Sequence, residues 1–279
     1  MFEIVERESL SPTITKYIIR APYVARKRQA GHFVIIRVND TGERIPLTIV
    51  DSHPRQGTIT LIVQAIGKTT KLLSRKQKGD SLQDVVGPLG NPTPIEYVGT
   101  TVCIGGGVVT AEVFPIVQAL KQAGNKVVTI VGARSKELII LEKELARFSD
   151  KMMIATEDGS LGTKGLVTDL LRSYISSNGT INALYAIGPI MMMRAVSEFT
   201  RPLGIPTYVS LNPLMMDGTG MCGACRVTVG GEMKFACVDG PEFDGHKVDF
   251  EELIVRNRTY LDLERRSLEL FETKAAEGR

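Results

Sequence analysis

The chain has 279 residues, 43% hydrophobic and 23% charged, a composition that fits a globular fold of about two domains with room for a small third. Lys and Arg total 34 against 31 Asp and Glu, a net charge of +3 that is too balanced for the concentrated basic face of a nucleic-acid binder. Acids at Glu3, Glu6 and Glu8 stand where a signal peptide needs an apolar run, and no window approaches ~18 uninterrupted apolar residues, so the expectation is a cytoplasmic protein with neither membrane nor nucleic-acid partner.

Residues 14–19, 32–38 and 58–63 are rich in β-branched side chains and are separated by turn material at Pro22, at 39–42 and at 53–57. This spacing predicts an antiparallel β-barrel over residues 1–97, with a short helix near 68–76. After Pro92 and Pro94 the texture changes. Strands at 101–104, 126–131, 152–155, 183–187 and 207–210 alternate with helices at 111–123, 137–148, 165–176 and 190–199. Such alternation predicts a doubly wound parallel sheet, an α/β nucleotide domain over 98–209.

Residues 210–279 break the alternation. A glycine-rich loop leads into a hairpin at 226–235 that turns at Gly230-Gly231. A charged tail follows, with Leu261, Leu268 and Phe271 on roughly one helical face, expected to pack on its own domain.

Three of the four cysteines, Cys222, Cys225 and Cys237, fall in that last region. In a reducing compartment such clustering points to metal or redox chemistry rather than disulfides. Asp217 precedes Cys222 with the spacing Asp-x4-Cys-x2-Cys, which is the plant-type [2Fe–2S] spacing with aspartate in place of the first cysteine. A carboxylate is an anionic ligand able to bind ferric iron, and as a harder donor than thiolate it favours the oxidised metal. Gly218, Gly220 and Gly223 suit a loop that turns through positive φ and brings N–H groups near sulfur. Three other readings stay open: a structural zinc site on the same four residues, a Cys-x2-Cys redox pair, and Asp217 as a cap with a fourth ligand elsewhere. Cys103, in the strand before the glycines, reads as a buried small hydrophobe.

Gly105-Gly106-Gly107 lies between an apolar strand and a helix, where a doubly wound domain cradles a pyrophosphate. Gly188-Pro189 opens the helix carrying Met191, Met192 and Met193, and offers a flat approach for a planar ring; the methionines read as core or pocket packing. Arg44-Ile45-Pro46-Leu47-Thr48 places a cation and a hydroxyl at the end of a barrel strand, and Gly67-Lys68-Thr69-Thr70 begins a helix.

In this order these elements resemble the ferredoxin–NADP+ reductase superfamily with a C-terminal [2Fe–2S] insertion, the layout of dihydroorotate dehydrogenase electron-transfer subunits. Residues 211–223 and 235–246 are similar, more narrowly, to the small subunits of NADH-dependent ferredoxin:NADP+ oxidoreductases, also known as sulfide dehydrogenase subunits. That family's cluster has one aspartate and three cysteines, whereas the dihydroorotate subunits carry cysteine where Asp217 stands. The resemblance covers nearly the whole chain. It implies that Arg44 meets the FAD pyrophosphate, that Pro46, Leu47 and Thr48 line the isoalloxazine, and that Gly67, Thr69 and Thr70 hold the diphosphate. It implies further that Gly105, Gly106, Gly107, Gly188, Pro189 and Met192 receive the nicotinamide nucleotide, and that Asp217, Cys222, Cys225 and Cys237 hold the cluster. Two departures from the superfamily pattern stand out: Ile187 occupies the place of a cysteine before Gly-Pro, and the proline behind the glycine loop comes only at Pro115.

The function implied is electron transfer between a [2Fe–2S] cluster, FAD and NAD(H), with FAD between a two-electron and a one-electron carrier. Glu157 and Asp158 follow the third parallel strand, where they would repel a 2′-phosphate and could accept from a ribose hydroxyl, so NAD(H) is expected; Arg134-Ser135 is a competing phosphate site. The implied partner is a larger flavoprotein subunit with its own FAD and [4Fe–4S] clusters, in a heterodimer whose partner handles ferredoxin and NADP(H) in an electron-bifurcating reaction. Other expectations are an electron-transfer subunit serving dihydroorotate dehydrogenase, sulfite reductase or hydrogenase, and a non-enzymatic zinc or iron–sulfur redox sensor.

Overall fold

The structure, a computed structural model, describes residues 1–178 and 180–277. Its first part is a β-barrel of two antiparallel sheets. One has the order Asp51–His53, Thr58–Gln64, Ile14–Arg20, Phe2–Ser9, Ser81–Leu82, and the other the order Arg44–Thr48, Phe33–Arg37, Asp84–Leu89. Along Ile14–Arg20, Tyr17 and Ile19 alternate inward to meet Ile4, Ile36, Ile59 and Leu61. That period of two is what makes the segment a half-buried strand. The short helix Lys68–Ser74 closes one end.

The second part is a seven-stranded sheet in the order Thr163–Lys164, Lys151–Thr156, Lys126–Ala133, Thr100–Gly106, Ala183–Ile187, Thr207–Ser210, Glu242–Asp244. All pairings are parallel except the last. Ala183–Ile187 is buried at every position, as a strand covered on both faces must be. Chain order reverses between Thr100–Gly106 and Ala183–Ile187, so their C-terminal ends flank the topological switch point, where ligands of open α/β sheets bind.

The region after Leu211 does not stand apart. Its strand Glu242–Asp244 completes the edge of the nucleotide sheet, and its hairpin Arg226–Val229/Glu232–Phe235 turns at Gly230-Gly231. Cys225, Val227, Ala236 and Cys237 share one buried core with Phe33 and Ile35 of the barrel and with Val209 and Leu184 of the sheet.

Two expectations are corrected. The helix over 137–148 is broken: a 3-10 turn at Lys136–Leu138 is followed by Leu141 at φ 57, and only Glu142–Phe148 is α-helical. The break lets Ile140 enter a core with Ile14, Val50 and Ala111. The tail forms two helices, Phe250–Asn257 and Leu261–Glu277, and the second leaves its own region for the barrel helix Lys68–Ser74. Lys71 is paired there with Glu272, and the Arg75 guanidinium lies 4.3 Å from the Phe271 ring centre. Among the described residues, no helix is long and apolar enough to cross a membrane.

Candidate cofactor cleft and cluster loop

One cleft collects residues from all three parts of the chain. Pro46, Leu47 and Thr48 come from the barrel strand Arg44–Thr48, Val108, Ala111 and Glu112 from the start of the helix Thr110–Gln122, and Ser210, Leu211, Asn212 and Met215 from the approach to the cysteine loop. Its walls are mostly apolar, with a few hydroxyl and amide groups, the lining a flat heteroaromatic ring requires. Arg44 is exposed at the first position of its strand, while Pro46, Leu47 and Thr48 are half-buried.

Near the cleft's barrel side, the turn before Lys68–Ser74 is stitched by one side chain. Thr70 Oγ1 accepts from the N–H of Gly67 (3.0 Å) and of Ile66 (3.1 Å). Thr69 Oγ1 and Lys68 Nζ both donate to the Glu43 carboxylate, Lys68 at 3.0 Å. Burial works to raise the Glu43 pKa, but those two hydrogen bonds outweigh it and hold the carboxyl below its usual range. Lys68 and Thr69 thus already grip an anionic group where the resemblance implies a diphosphate.

On the nucleotide side, the loops at the switch point are pressed together. A Cβ on Gly106 would stand 2.9 Å from both Met192 Sδ and Pro189 Cδ, and one on Gly188 would stand 2.7 Å from Met192 Cε. A side chain on Gly106 would press on the Pro189 ring and Met192, and one on Gly188 would have to turn the Met192 side chain aside. Gly107 has φ 65 and starts the turn whose carbonyl accepts from Thr110 Oγ1 at 2.6 Å. Of the three methionines, Met193 is fully buried, Met192 packs on the glycines, and Met191 is exposed, so core packing holds for the first two and not for Met191. Glu157 and Asp158 are exposed beyond Lys151–Thr156; Ser160, bonded to Asp158 through its N–H and Oγ, holds the Asp158 carboxyl below its usual range. Arg134 is exposed next to them, its carbonyl accepting from the Asp158 N–H.

The cysteine loop falls against the barrel. Gly218 has φ 78, and a Cβ there would come within 2.5 Å of Leu89 and 3.0 Å of Ile35, so only glycine allows the approach. Gly220 and Gly223 also have positive φ, as the loop chemistry predicts. Two of the four candidate donors meet sulfur to sulfur, and the other two residues meet through a backbone N–H. Cys225 and Cys237, both buried, have their Sγ atoms 3.2 Å apart. Asp217 accepts from the N–H of exposed Cys222 at 2.8 Å and from that of Thr219 at 2.9 Å. The Thr219 and Cys222 bonds depress the Asp217 pKa and keep it anionic, while burial and the neighbouring Cys225 push the Cys237 thiol up to about 12. Among the described residues, no three His, Cys, Asp or Glu side chains converge on one point. Cys103 is fully buried in its strand, far in role from the loop.

Two acids escaped the sequence reading. Glu112 lies in the cleft beside Thr48, and burial pushes its pKa up to about 7. Glu242 accepts from Thr93 Oγ1 at 2.6 Å where barrel, linker and edge strand meet, and burial likewise pushes it up to about 7. A glutamate in a helix's first turn or an edge strand looks ordinary in sequence, and no signal marked either position.

A family model for the iron–sulfur cluster binding domain of dihydroorotate dehydrogenase B matches residues 212–249. The electron-transfer subunit homologue of dihydroorotate dehydrogenase B from Thermotoga maritima is 46% identical over 99% of this chain and 97% of its own. The chain belongs to the dihydroorotate dehydrogenase B electron-transfer subunit family. The Bacillus caldolyticus subunit is 37% identical over 81% of this chain and 88% of its own. Among solved structures, a chain of the NADH-dependent reduced ferredoxin–NADP oxidoreductase, studied for flavin-based electron bifurcation, superposes with a TM-score of 0.92 at 44% identity, covering 97% of this chain and 98% of that one. Phthalate dioxygenase reductase, at 17% identity and a TM-score of 0.60, shares the fold.

Proposed function

We propose that this family member is the NAD(H)-reactive electron-transfer subunit of an electron-bifurcating oxidoreductase, holding FAD in the cleft and a [2Fe–2S] cluster on the cysteine loop. The observation that carries the reading is the single cleft shared by the barrel strand, the glycine-loop helix and the approach to the cysteines. When bound, FAD exchanges a hydride with the nicotinamide and single electrons with the cluster, coupling the two kinds of carrier. Pro46, Leu47 and Thr48 give the ring an apolar wall with a hydroxyl at its edge. Arg44, Lys68 and Thr69, with Gly67 and Thr70 shaping the turn, supply charge and hydrogen bonds for the diphosphate, and Glu43 yields its place to it. Gly105, Gly106, Gly107, Gly188, Pro189 and Met192 receive the nicotinamide nucleotide at the switch point, with Glu157 and Asp158 facing its ribose.

The donor set fits a two-metal centre. A single zinc needs four donors around one point. Here the Cys225 and Cys237 sulfurs stand 3.2 Å apart and the Asp217 carboxylate meets the Cys222 backbone N–H, and three thiols with one carboxylate are donor chemistry suited to a pair of irons. Aspartate in the first position favours the ferredoxin:NADP+ oxidoreductase reading over a dihydroorotate-linked one. Around the loop Met216, Val238 and Met221 are exposed, Met221 at 89%, an apolar rim beside exposed Cys222 that suits a larger flavoprotein subunit carrying its own FAD and [4Fe–4S] clusters. Ferredoxin and NADP(H) react on that partner.

Anaerobic rapid mixing tests the reading. NADH is expected to bleach the flavin and then the cluster of the purified protein, with NADPH slower because Glu157 and Asp158 repel its 2′-phosphate. A protein without visible chromophores would contradict the function, and a preference for NADPH would contradict the nucleotide assignment.

A further inference from the structure

Glu112 is the one ionisable side chain among the residues that line the cleft; the others are apolar, hydroxyl or amide groups. It lies in the first turn of Thr110–Gln122, directly behind the glycine loop, and lines the same cleft as Thr48, whose side chain works to lower its pKa. No charged group on the barrel strand, the glycine loop or the approach to the cysteines contributes to its titration, which burial and Thr48 alone govern. An acid in such a place costs desolvation and offers no ion pair in return, so its presence calls for a chemical reason.

Proton bookkeeping supplies one. NADH gives up a hydride, which is two electrons and a proton, whereas an iron–sulfur cluster takes electrons only. One proton per NADH is therefore left in the cleft, and the reverse reaction must find one there. We propose that Glu112 carries this proton, reached through the Thr48 hydroxyl. With FAD bound in the cleft, the Thr48 hydroxyl would take up the proton left by NADH oxidation and pass its own to Glu112, whose carboxylate would become a carboxylic acid. In the opposite direction the acid returns the proton. A carboxyl whose pKa stands near neutrality both accepts and releases readily, which is the condition for an efficient acid–base group.

The inference rests on the electron-transfer reading, and its test separates the two. In the wild-type holoprotein, redox-difference infrared spectra are expected to show a protonated-carboxyl band that shifts in D2O and vanishes in Glu112→Gln. In stopped flow, flavin bleaching by NADH should survive in that variant with FAD content intact. Electron passage from flavin to cluster should slow roughly 100-fold or more and lose both its solvent isotope effect and its inflection near neutral pH. A wild-type protein that loads FAD and iron and passes electrons with no pH inflection and no carboxyl band would overturn the proton role while leaving the function standing. Glu112→Gln that merely loses FAD, with the wild type flat in pH, would assign the residue to structure instead. Failure of the wild type to take up flavin or iron would refute the functional reading itself.

Discussion

Cys225→Ser is expected to lose iron and the visible absorption of the cluster while retaining FAD and its bleaching by NADH. Cys225 is fully buried, with its sulfur 3.2 Å from that of Cys237, so it belongs to the inner donor pair. Serine keeps the volume but offers a hydroxyl that is a poor ligand at neutral pH, and the pair fails. The apoprotein then carries an unmatched buried hydroxyl, costing about 1–3 kcal/mol, felt through the core that Cys225 shares with Phe33 and Leu184. Under the proposed function, electron delivery to a partner subunit should stop with the loss of the cluster. Iron analysis, absorption spectra and single-turnover kinetics check the three statements separately. An iron-replete Cys225→Ser protein would remove this cysteine from the ligand set.

Gly106→Val should act on the opposite limb. Its side chain would begin 2.9 Å from Met192 Sδ and Pro189 Cδ, inside contact distance of both, and Met192 is already wedged against Gly188. Overpacking of this kind costs about 1–3 kcal/mol. Because the proposed function gives the nicotinamide to this loop, most of that cost is expected in binding, with KM for NADH rising roughly tenfold for each 1.4 kcal/mol. FAD and iron contents, set by the barrel and by the cysteine loop, should hardly move. Steady-state kinetics with cofactor analysis measure this; an unchanged KM would place the nicotinamide elsewhere.

The architecture was legible where local pattern and burial agree. The strand Ala183–Ile187 was readable to the residue, because a five-residue apolar run bounded by Asn182 and Gly188 is too short for a helix and suits a strand buried on both faces. The hairpin at Gly230-Gly231 was readable from its turn glycines, both at positive φ. The segment 137–148 misled, because Leu138, Leu141 and Leu145 recur at i, i+3 and i+7 while tertiary packing of Ile140 takes the chain through a left-handed Leu141 instead. The tail's apolar face was visible, but its landing place on Lys71 and Arg75 of the barrel is a contact at a separation no local pattern encodes.

The site divides in the same way. Spacing in the cysteine loop and glycines at strand ends carry their chemistry in sequence, since the backbone conformations they need are rare. The approach of the Cys225 and Cys237 sulfurs, and the contact of Asp217 with the Cys222 backbone, are properties of the folded loop. So is the meeting of Glu112 with Thr48, residues that reach one another only when the nucleotide domain closes over the barrel. The grip of Lys68 and Thr69 on Glu43 was likewise invisible, because a lone glutamate before a strand carries no signal.

The central claim is that Asp217 and three cysteines hold a pair of irons bridged by sulfide. The direct measurement is iron, acid-labile sulfide and zinc per FAD in anaerobically purified protein, wild type beside Asp217→Cys. The account predicts iron and sulfide in equal amounts with zinc absent in both proteins, and an electron paramagnetic resonance spectrum of the reduced state that changes on replacing the carboxylate by a thiolate. Stoichiometric zinc without sulfide, or a spectrum indifferent to residue 217, would contradict it.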